Sequence, residues 1–437
     1  MKRNVLRVAV IAFFDLLSYS LVFPLLPFYA QQFGATPVQT GVLIASFALA
    51  QMLSAPLLGR ISDLHGRKPV LLLTTGGTVA GFLIMGCANS LPLLFLARLV
   101  DGLTGGNTTA AQSYISDVTD AAGRAQGFAW LAVAGAMGFV CGPVLGGALA
   151  STSWGLQGPA FAAACIAACN WSAIALLLPE SLTAAERAAR RAAAAVTAAE
   201  AAAVAAVAQA HAPAESQRRS VVQKVLRRIV PSVVLDSPRV CLLLFLRVAW
   251  SVPFNALFTT FSLFLSLRFG LATSGTGRVL ALAGALQIFS QACVVGPLTR
   301  RFSENALLLG ALAVGGVSLA VLGLTPSLPV LLLTLAPTAF ASAVFTTVAS
   351  AAMSTAAQPG QTGTLLGLAF SVEAGTRVVA PVLAGALMSA WGASAPGVCG
   401  ALIIAAAMPV ALAVMQKQGG IGPLSRGEAA PLKAAAV

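Results

Sequence analysis

The stretch Gly59-Arg60-Ile61-Ser62-Asp63-Leu64-His65-Gly66-Arg67-Lys68 is a short polar segment between two long apolar runs, near residues 39–58 and 70–88. Runs of about 20 apolar residues match the thickness of the hydrocarbon core of a bilayer. Gly59 lets two helices approach closely, and Gly66 permits a tight turn. The segment is therefore predicted to be the loop that joins two membrane-spanning helices.

The composition of the whole chain agrees with this prediction. Of 437 residues, 58% are hydrophobic and 9% are charged. Such a composition excludes a soluble globular fold. Most charged residues lie in loops, at helix ends or in the tails. The net charge of +13 therefore belongs to segments beside the membrane and does not indicate a nucleic-acid groove.

Hydropathy predicts an all-α membrane protein with twelve transmembrane helices, near residues 8–30, 39–58, 70–88, 91–113, 126–150, 157–178, 240–266, 276–297, 305–324, 328–352, 363–388 and 395–415. The spacing divides the chain into a first six-helix bundle (1–178), a central loop (179–238), a second six-helix bundle (239–415) and a tail (416–437).

Basic residues predict the orientation. If the amino terminus is cytoplasmic, the outer loops carry two basic residues, Arg268 and Arg278, and the short inner segments and tails carry twelve. Short cytoplasmic loops are enriched in Lys and Arg, so both termini and the central loop are predicted to be cytoplasmic. The protein is expected in the plasma membrane or in an internal membrane. The twelve are Lys2, Arg3, Arg7, Arg60, Arg67, Lys68, Arg124, Arg300, Arg301, Lys417, Arg426 and Lys433.

Two repeated segments indicate internal symmetry. Residues 59–63 are echoed at 296–300, 237 positions on, and residues 142–149 are echoed at 380–387, 238 positions on. Two bundles related by a pseudo-twofold axis along the membrane normal are predicted, with a substrate site between them.

The central loop has two parts. Residues 184–212 are rich in Ala and are interpreted as a spacer that ends at Pro213. Residues 218–229 either form a basic amphipathic helix that lies on an anionic membrane surface or are a solvated basic linker.

Segment 59–68 resembles the signature loop of the major facilitator superfamily, both in its residues and in its place between the second and third spans. The resemblance implies a solute transporter that works by alternating access. Asp63 can lie at a helix amino terminus and pair with Arg67 or Arg124. Such a charge cluster, with Lys68 beside it, can hold the cytoplasmic side shut and release it.

The fifth span carries small residues around a proline, Gly138, Gly142, Pro143, Gly146 and Gly147. This stripe resembles the motif of the superfamily's drug and proton antiporters, and its physical content is close helix packing and a bend at Pro143. Taken alone, the stripe is equally a plain packing seam.

The fourth span, through residues 97–106 and 114–119, resembles the buried-arginine motif of the same antiporters. The first half looks like bacterial tetracycline/proton antiporters. The second half, through residues 301–304 and 362–368, is similar to animal solute carriers called organic cation transporter-like or tetracycline transporter-like proteins. The resemblance implies proton-coupled antiport of organic cations or drug-like solutes.

Six ionisable residues fall inside predicted spans, where each costs roughly 2.5–3.5 kcal/mol on insertion scales and is a candidate functional group. Arg98 and Asp101 are three positions apart, and Glu373 and Arg377 are four apart, so each pair can neutralise itself without any role in transport. For Arg98, the resemblance implies a part in proton movement. The other three residues of these pairs depart from the antiporter pattern. The remaining two are Asp15 and Arg247.

Asp15 has no basic residue within four positions, and the first span continues into Pro24 and Pro27, which bend it. The tetracycline antiporters carry an Asp at the matching place, which implies a carboxylate that faces the cavity and binds a proton or a cation. One negative charge cannot hold both equally well, so such a group can exchange them. The alternative is a structural ion pair with Arg247 of the seventh span.

Polar and aromatic residues of the seventh and eighth spans are further candidates. Gln287 must find partners inside the bundle, so it is predicted to line the cavity or bridge helices. Phe254, Phe258 and Phe261 recur at helical spacing with Trp250. They either offer faces to an organic cation or serve packing and lipid-facing roles.

Other function classes have little support. The sequence has no GxxxxGK[ST] loop, no GxSxG elbow and no metal-ligand spacing, so we expect no ATPase, no enzyme, no metal and no cofactor. The seven cysteines are interpreted as small buried apolar residues. The expected partners are a small-molecule substrate, protons and the lipid bilayer, for a monomer. Two alternatives stay open: a proton-independent facilitator of a neutral solute such as a sugar, and a receptor or scaffold that moves nothing.

Overall fold

In the first half, the long apolar runs of the sequence form helices. The computed structural model describes residues 2–119, 121–189, 192, 237–356 and 362–417. The helices of the first half are α1 (Lys2–Val22), α2 (Leu26–Gln32), α3 (Pro37–His65), α4 (Arg67–Gly86), α5 (Leu91–Leu103), α6 (Asn107–Val118), α7 (Ala121–Ala150) and α8 (Gln157–Leu177). A 3-10 turn, Phe23–Leu25, links α1 to α2. Pro24 and Pro27 occupy the starts of the turn and of α2, which accounts for the predicted bend.

The second half has the same kind of architecture. Its helices are α9 (Pro238–Phe269), α10 (Thr273–Phe289), α11 (Val295–Arg301), α12 (Glu304–Leu324), α13 (Leu328–Ala356), α14 (Thr362–Trp391) and α15 (Ala395–Lys417). A π turn, Ser290–Val294, joins α10 to α11. Most of the predicted central loop, including its basic segment, and the tail after Lys417 lie outside the described residues.

The fourth predicted span is broken near its middle. Instead of one helix it consists of α5 and α6, separated by Thr104, Gly105 and Gly106. Two consecutive glycines disfavour a helix, and the freed carbonyl of Gly105 accepts a hydrogen bond of 2.7 Å from Nε2 of Gln51. The break explains why eleven stretches among the described residues are long and apolar enough to cross a membrane uninterrupted. The broken pair α5–α6 supplies the twelfth.

The glycine stripe of α7 packs directly on α1. A Cβ atom at Gly138 would meet the backbone of Phe13 and Leu17, and one at Gly142 would meet Ser20 and the backbone of Leu21. Gly146 lies against the Leu21 carbonyl. Small residues therefore allow the two helix backbones to approach closely along this seam. The hydroxyl of Ser20 donates a hydrogen bond of 3.0 Å to the Gly138 carbonyl across the seam.

The two halves meet along two further seams that obey the sequence repeat. In the first, Gly277 of α10 lies on the Pro143 carbonyl of α7, and Gly147 lies on Thr273. In the second, Gly41 of α3 lies on the Pro381 carbonyl of α14, and Gly385 lies on Pro37. Pro143 and Gly147 correspond to Pro381 and Gly385, each 238 positions on. The contacts between the halves are therefore arranged with pseudo-twofold symmetry.

Gly59 near the end of α3 and Gly296 near the start of α11 have no close neighbours among the described residues. A Cβ atom at Gly59 of α3, or at its repeat counterpart Gly296 of α11, would meet nothing within 4 Å among the described residues. Among the described residues, the close contacts between the halves therefore lie at the end of the molecule that contains Pro37.

Each buried apolar cluster lies within one half. Leu26, Tyr29 and Phe82 belong to a core of the first half, and Leu312 and Phe345 belong to a core of the second. The expectation of buried cysteines is wrong. Six of the seven are exposed on the helix surfaces and Cys399 is half-buried, because a lipid-facing position and a core position are equally apolar in sequence.

Candidate functional site

A polar cavity of about 310 Å³ lies between the two halves. Three charged side chains line it, Asp15 of α1, Asp101 of α5 and Arg377 of α14. Neutral polar groups from both halves, among them Asn107 and Asn255, complete its lining. A cavity that both halves line is a candidate binding site, because a rocking motion of the halves can expose it.

Asp15 is held by a residue that sequence reasoning missed. The carboxamide Nδ2 of Asn107, the first residue of α6, donates a hydrogen bond to Oδ1 of Asp15. The carboxamide oxygen of Asn107 is buried and has no partner among the described side chains and backbone. The only sequence signal was a polar residue directly after Gly105 and Gly106 in an apolar span. The alternative ion pair between Asp15 and Arg247 is wrong, because Arg247 bonds to other groups.

Arg98 and Asp101 form the ion pair that their spacing allows, with 3.3 Å between Nη1 and Oδ2. Arg98 is only 1% exposed and does not line the cavity, whereas Asp101 does. The guanidinium of Arg98 lies 4.1 Å from the centroid of the Phe47 ring, a cation–π contact. Its Nε and Nη2 have no hydrogen-bond partner among the described residues.

Glu373 joins two arginines in the second half. One carboxylate oxygen lies 3.1 Å from Nη2 of Arg377, and the other lies 3.1 Å from Nη2 of Arg247 on α9. Nη1 of Arg247 also donates to the hydroxyl of Ser350, at 3.4 Å. The expected pair between Glu373 and Arg377 is therefore present, but it is part of a triad. Arg377 extends into the polar cavity, and its side chain is 55% exposed.

An apolar cavity of about 450 Å³ adjoins the polar one. It lies between α7, α9, α10 and α13, and Gln287 is one of the few polar groups in its lining. Phe139 and Phe258 line both cavities, and Phe258 stacks on Phe139 and Phe23 at centroid distances of 5.8 and 5.2 Å. Trp250 instead packs in the core of the second half.

The prediction that segment 59–68 is a loop is wrong, because α3 continues to His65 and α4 begins at Arg67, with only Gly66 between them. Asp63 lies in the last turn of α3 and not at a helix amino terminus.

Arg67 is the centre of a charged cluster at this α3–α4 junction. It is 5% exposed, and it donates hydrogen bonds to Asp63 at 2.7 Å, to Asp117 at 2.8 Å and to Ser62 at 3.1 Å. Of the two partners proposed for Asp63, the structure shows Arg67. The side chain of Arg124 lies outside the described part of α7.

Glu180, three residues after the end of α8, connects the α3–α4 junction to the start of the central loop. Its carboxylate accepts hydrogen bonds from the backbone N–H groups of Arg67 (2.9 Å) and Lys68 (3.2 Å), at the amino terminus of α4. A side chain at Gly66, whose φ is +109°, would collide with this carboxylate. Nζ of Lys68 donates to the Ala175 carbonyl at 2.7 Å. Sequence reasoning missed Glu180, whose only signal is an acid immediately after a span.

Sequence comparison decides the family. A sequence model of the Major Facilitator Superfamily matches residues 8–326. The chain belongs to this superfamily. It is therefore an integral, multi-pass membrane transporter of a small-molecule substrate, with an all-α fold, and members of this family are not enzymes.

Individual relatives agree with both resemblances seen in the motifs. The tetracycline resistance protein class D of Salmonella ordonez is 27% identical over 395 residues, which cover 89% of this chain and 90% of that one. Solute carrier family 22 member 18 of Rattus norvegicus is 28% identical over 397 residues, 89% of this chain and 88% of that one. Each resemblance thus covers nearly the whole chain and is not confined to one half.

Some matches are partial. The class B tetracycline resistance protein of Escherichia coli is 38% identical over 141 residues, which are 32% of this chain and 35% of that protein. Among solved structures, the human organic anion transporter MFSD10 (TETRAN) is 25% identical, with a TM-score of 0.63 over 94% of this chain and 99% of that chain.

Proposed function

We propose that this member of the Major Facilitator Superfamily is a proton-coupled antiporter of organic cations or drug-like solutes. The observation that carries the proposal is the carboxylate of Asp15, which lines a cavity between the halves and makes no ion pair among the residues that the structure describes. An intramembrane carboxylate without a cation beside it is costly unless it binds a proton or a cationic ligand. The tetracycline resistance proteins among the relatives support drug efflux.

Asn107 suits both protonation states of Asp15. Its Nδ2 donates to the ionised carboxylate. Its own carboxamide oxygen, which is buried and has no partner among the described groups, can accept a hydrogen bond from the protonated acid. Asp15 can therefore change its protonation state while it keeps a partner on α6. Asn107 begins α6 at the break of the fourth span. The change of hydrogen bonding between Asp15 and Asn107 therefore links the protonation of Asp15 to a discontinuous helix.

The two adjoining cavities favour an amphipathic solute. A cationic group fits beside Asp15, and an apolar body fits beyond Phe258 in the larger cavity. A sugar needs many hydrogen-bond partners, whereas the larger cavity offers only Gln287, Thr338 and Ser342 as side chains that can form hydrogen bonds. The space between the halves also argues against a scaffold that no longer binds a solute.

The end of the molecule that contains the α3–α4 junction is proposed to face the cytoplasm. The positive-inside rule predicts that segment 59–68 and both termini lie there, and at this end a Cβ atom at Gly59 or Gly296 would meet no described residue within 4 Å. In the opposite state, this end closes while the seams at Gly41 and Gly277 separate. Arg67 holds Asp63 and Asp117 together within the first half and so fixes the geometry of the α3–α4 junction for that closure.

The test uses purified protein in liposomes with an imposed pH gradient and a panel of lipophilic organic cations. The wild type is expected to move at least one cation against its gradient, and Asp15→Asn is expected to lose this pH-driven flux. Glu304→Gln is the matched control, since Glu304 pairs with Arg239 at 3.0 Å and does not line the polar cavity. Flux that ignores both the pH gradient and Asp15→Asn would instead favour a facilitator.

A further inference from the structure

The second half presents a positive charge to the polar cavity that cation/proton exchange at Asp15 does not require. Arg377 lines this cavity, and its side chain is 55% exposed. Its one hydrogen bond among the described residues goes from Nη2 to Glu373. A guanidinium has five N–H donors, so most of the donors of Arg377 remain available to a ligand.

The charges of the triad formed by Arg247, Glu373 and Arg377 leave the guanidinium of Arg377 attractive to anions. Arg247, Glu373 and Arg377 together carry one net positive charge, since two guanidinium groups share a single carboxylate. On the first-half side, Arg98 and Asp101 neutralise each other, which leaves the charge of Asp15. The polar cavity therefore has a negative wall in the first half and a positive wall in the second.

We propose that Arg377 binds a carboxylate group of the substrate, so that the transported solute is amphoteric, with a cationic group at Asp15 and a carboxylate at Arg377. This proposal rests on the proposed function and specifies its substrate class. Arg is suited to the role because its planar fork matches a carboxylate with two parallel hydrogen bonds.

Glu373 lowers the free-energy cost of replacing its bond to Arg377 by a bond from a substrate carboxylate. When a substrate carboxylate takes the guanidinium of Arg377, Glu373 keeps its second oxygen on Arg247, which is 10% exposed and is held by Ser350. No charge is then left buried without a counter-ion, which is the costly outcome in a low-dielectric site. Glu373 thus positions Arg377 in the empty cavity and is satisfied by Arg247 in the occupied one.

The experiment compares matched acids and esters. A fluoroquinolone, an aromatic amino acid and an aminomethyl benzoate are each titrated as the free acid and as the methyl ester, which keeps the cation and removes the anion. Affinity is read from the rise of the thermal unfolding midpoint of the purified full chain. At least one acid is expected to bind the wild type about tenfold more tightly than its ester, the usual gain from a charge-assisted hydrogen bond.

Variants separate the possible outcomes. Arg377→Gln is expected to bring the acid-to-ester ratio close to one without weakening the ester. Arg239→Gln, which removes an arginine from another Arg–Glu pair outside the cavity, keeps the wild-type ratio. Asp15→Asn weakens acid and ester together. The carboxylate subsite is overturned if esters bind as well as their acids, or if the preference survives Arg377→Gln. If neither member of any pair binds, the proposed function fails as well.

Discussion

Gly41→Ala is expected to shift the equilibrium between the two orientations of the halves. A methyl group at this position of α3 would overlap the carbonyl of Pro381 on α14 and approach Cα of Val382. These are backbone atoms of a helix, so no side chain can rotate away. The substitution therefore acts against the seam that joins the halves and leaves the interior of each half untouched.

The size of the effect follows from the kind of contact. Overpacking a close contact costs about 1–3 kcal/mol, and each 1.4 kcal/mol is a factor of ten in an equilibrium constant. The clash exists only when the end that contains Pro37 is closed. The ratio of forms closed at this end to forms open at this end should therefore fall about 5- to 150-fold. Gly277→Ala, at the symmetry-related seam on the Pro143 carbonyl, should have a similar effect.

Spin labels can measure this shift. In a background without native cysteines, labels at Gln39 and Ser389 report the separation of α3 and α14 at the closed end, since both side chains are exposed. Pulsed dipolar spectroscopy should show a longer distance component in Gly41→Ala than in the parent. Gly310→Ala is the control, because a Cβ atom there meets nothing within 4 Å. Identical distance distributions for Gly41→Ala and Gly310→Ala would refute the assignment of the seam.

Three stability effects can be measured by thermal or denaturant unfolding of the purified protein. Asp101→Leu should lower the free energy of unfolding by about 3 kcal/mol or more, because it leaves Arg98 buried without a counter-ion. The double variant with Arg98→Leu should be more stable than Asp101→Leu alone. Equal losses of stability in the two variants would contradict the burial argument. Arg67→Gln should cost about 1–3 kcal/mol, because Asp117 loses a charged hydrogen-bond donor, and an unchanged midpoint would show that the cluster contributes nothing. Gly142→Val should cost about 3 kcal/mol from overlap with Ser20 and the Leu21 backbone, whereas Gly310→Val should leave the midpoint within error of the wild type.

The arrangement of spans could be predicted from sequence because membrane insertion depends on length and composition. Eleven of the predicted spans correspond to helical stretches among the described residues that can cross a membrane uninterrupted. The break at Thr104–Gly106 could not be seen in the same way. A hydropathy average hides a short interruption, and the hydrogen bond from Gln51 that satisfies the Gly105 carbonyl comes from 54 positions away.

The partners of the candidate site residues were harder to predict than the residues themselves. Local pairs at helical spacing, such as Arg98 with Asp101, follow from geometry along one helix. The bonds of Asp15 with Asn107 and of Arg247 with Glu373 join distant parts of the chain. Such bonds depend on which faces of two helices meet, and apolar spans carry little information about that choice.

Packing and chemistry obey the internal repeat to different degrees. The glycines and prolines of the two seams between the halves occupy equivalent positions, so both seams can separate in the same motion. The charges do not repeat: 237 positions after Asp15 stands Val252, and 238 positions before Arg377 stands Phe139. A symmetric frame can rock about a site without favouring either half. Because Asp15 and Arg377 are each unmatched, the cavity at the axis has opposite charges on its two walls. In the proposed mechanism the repeat therefore accounts for the rocking motion, and the departures from it determine which solute we expect the cavity to bind.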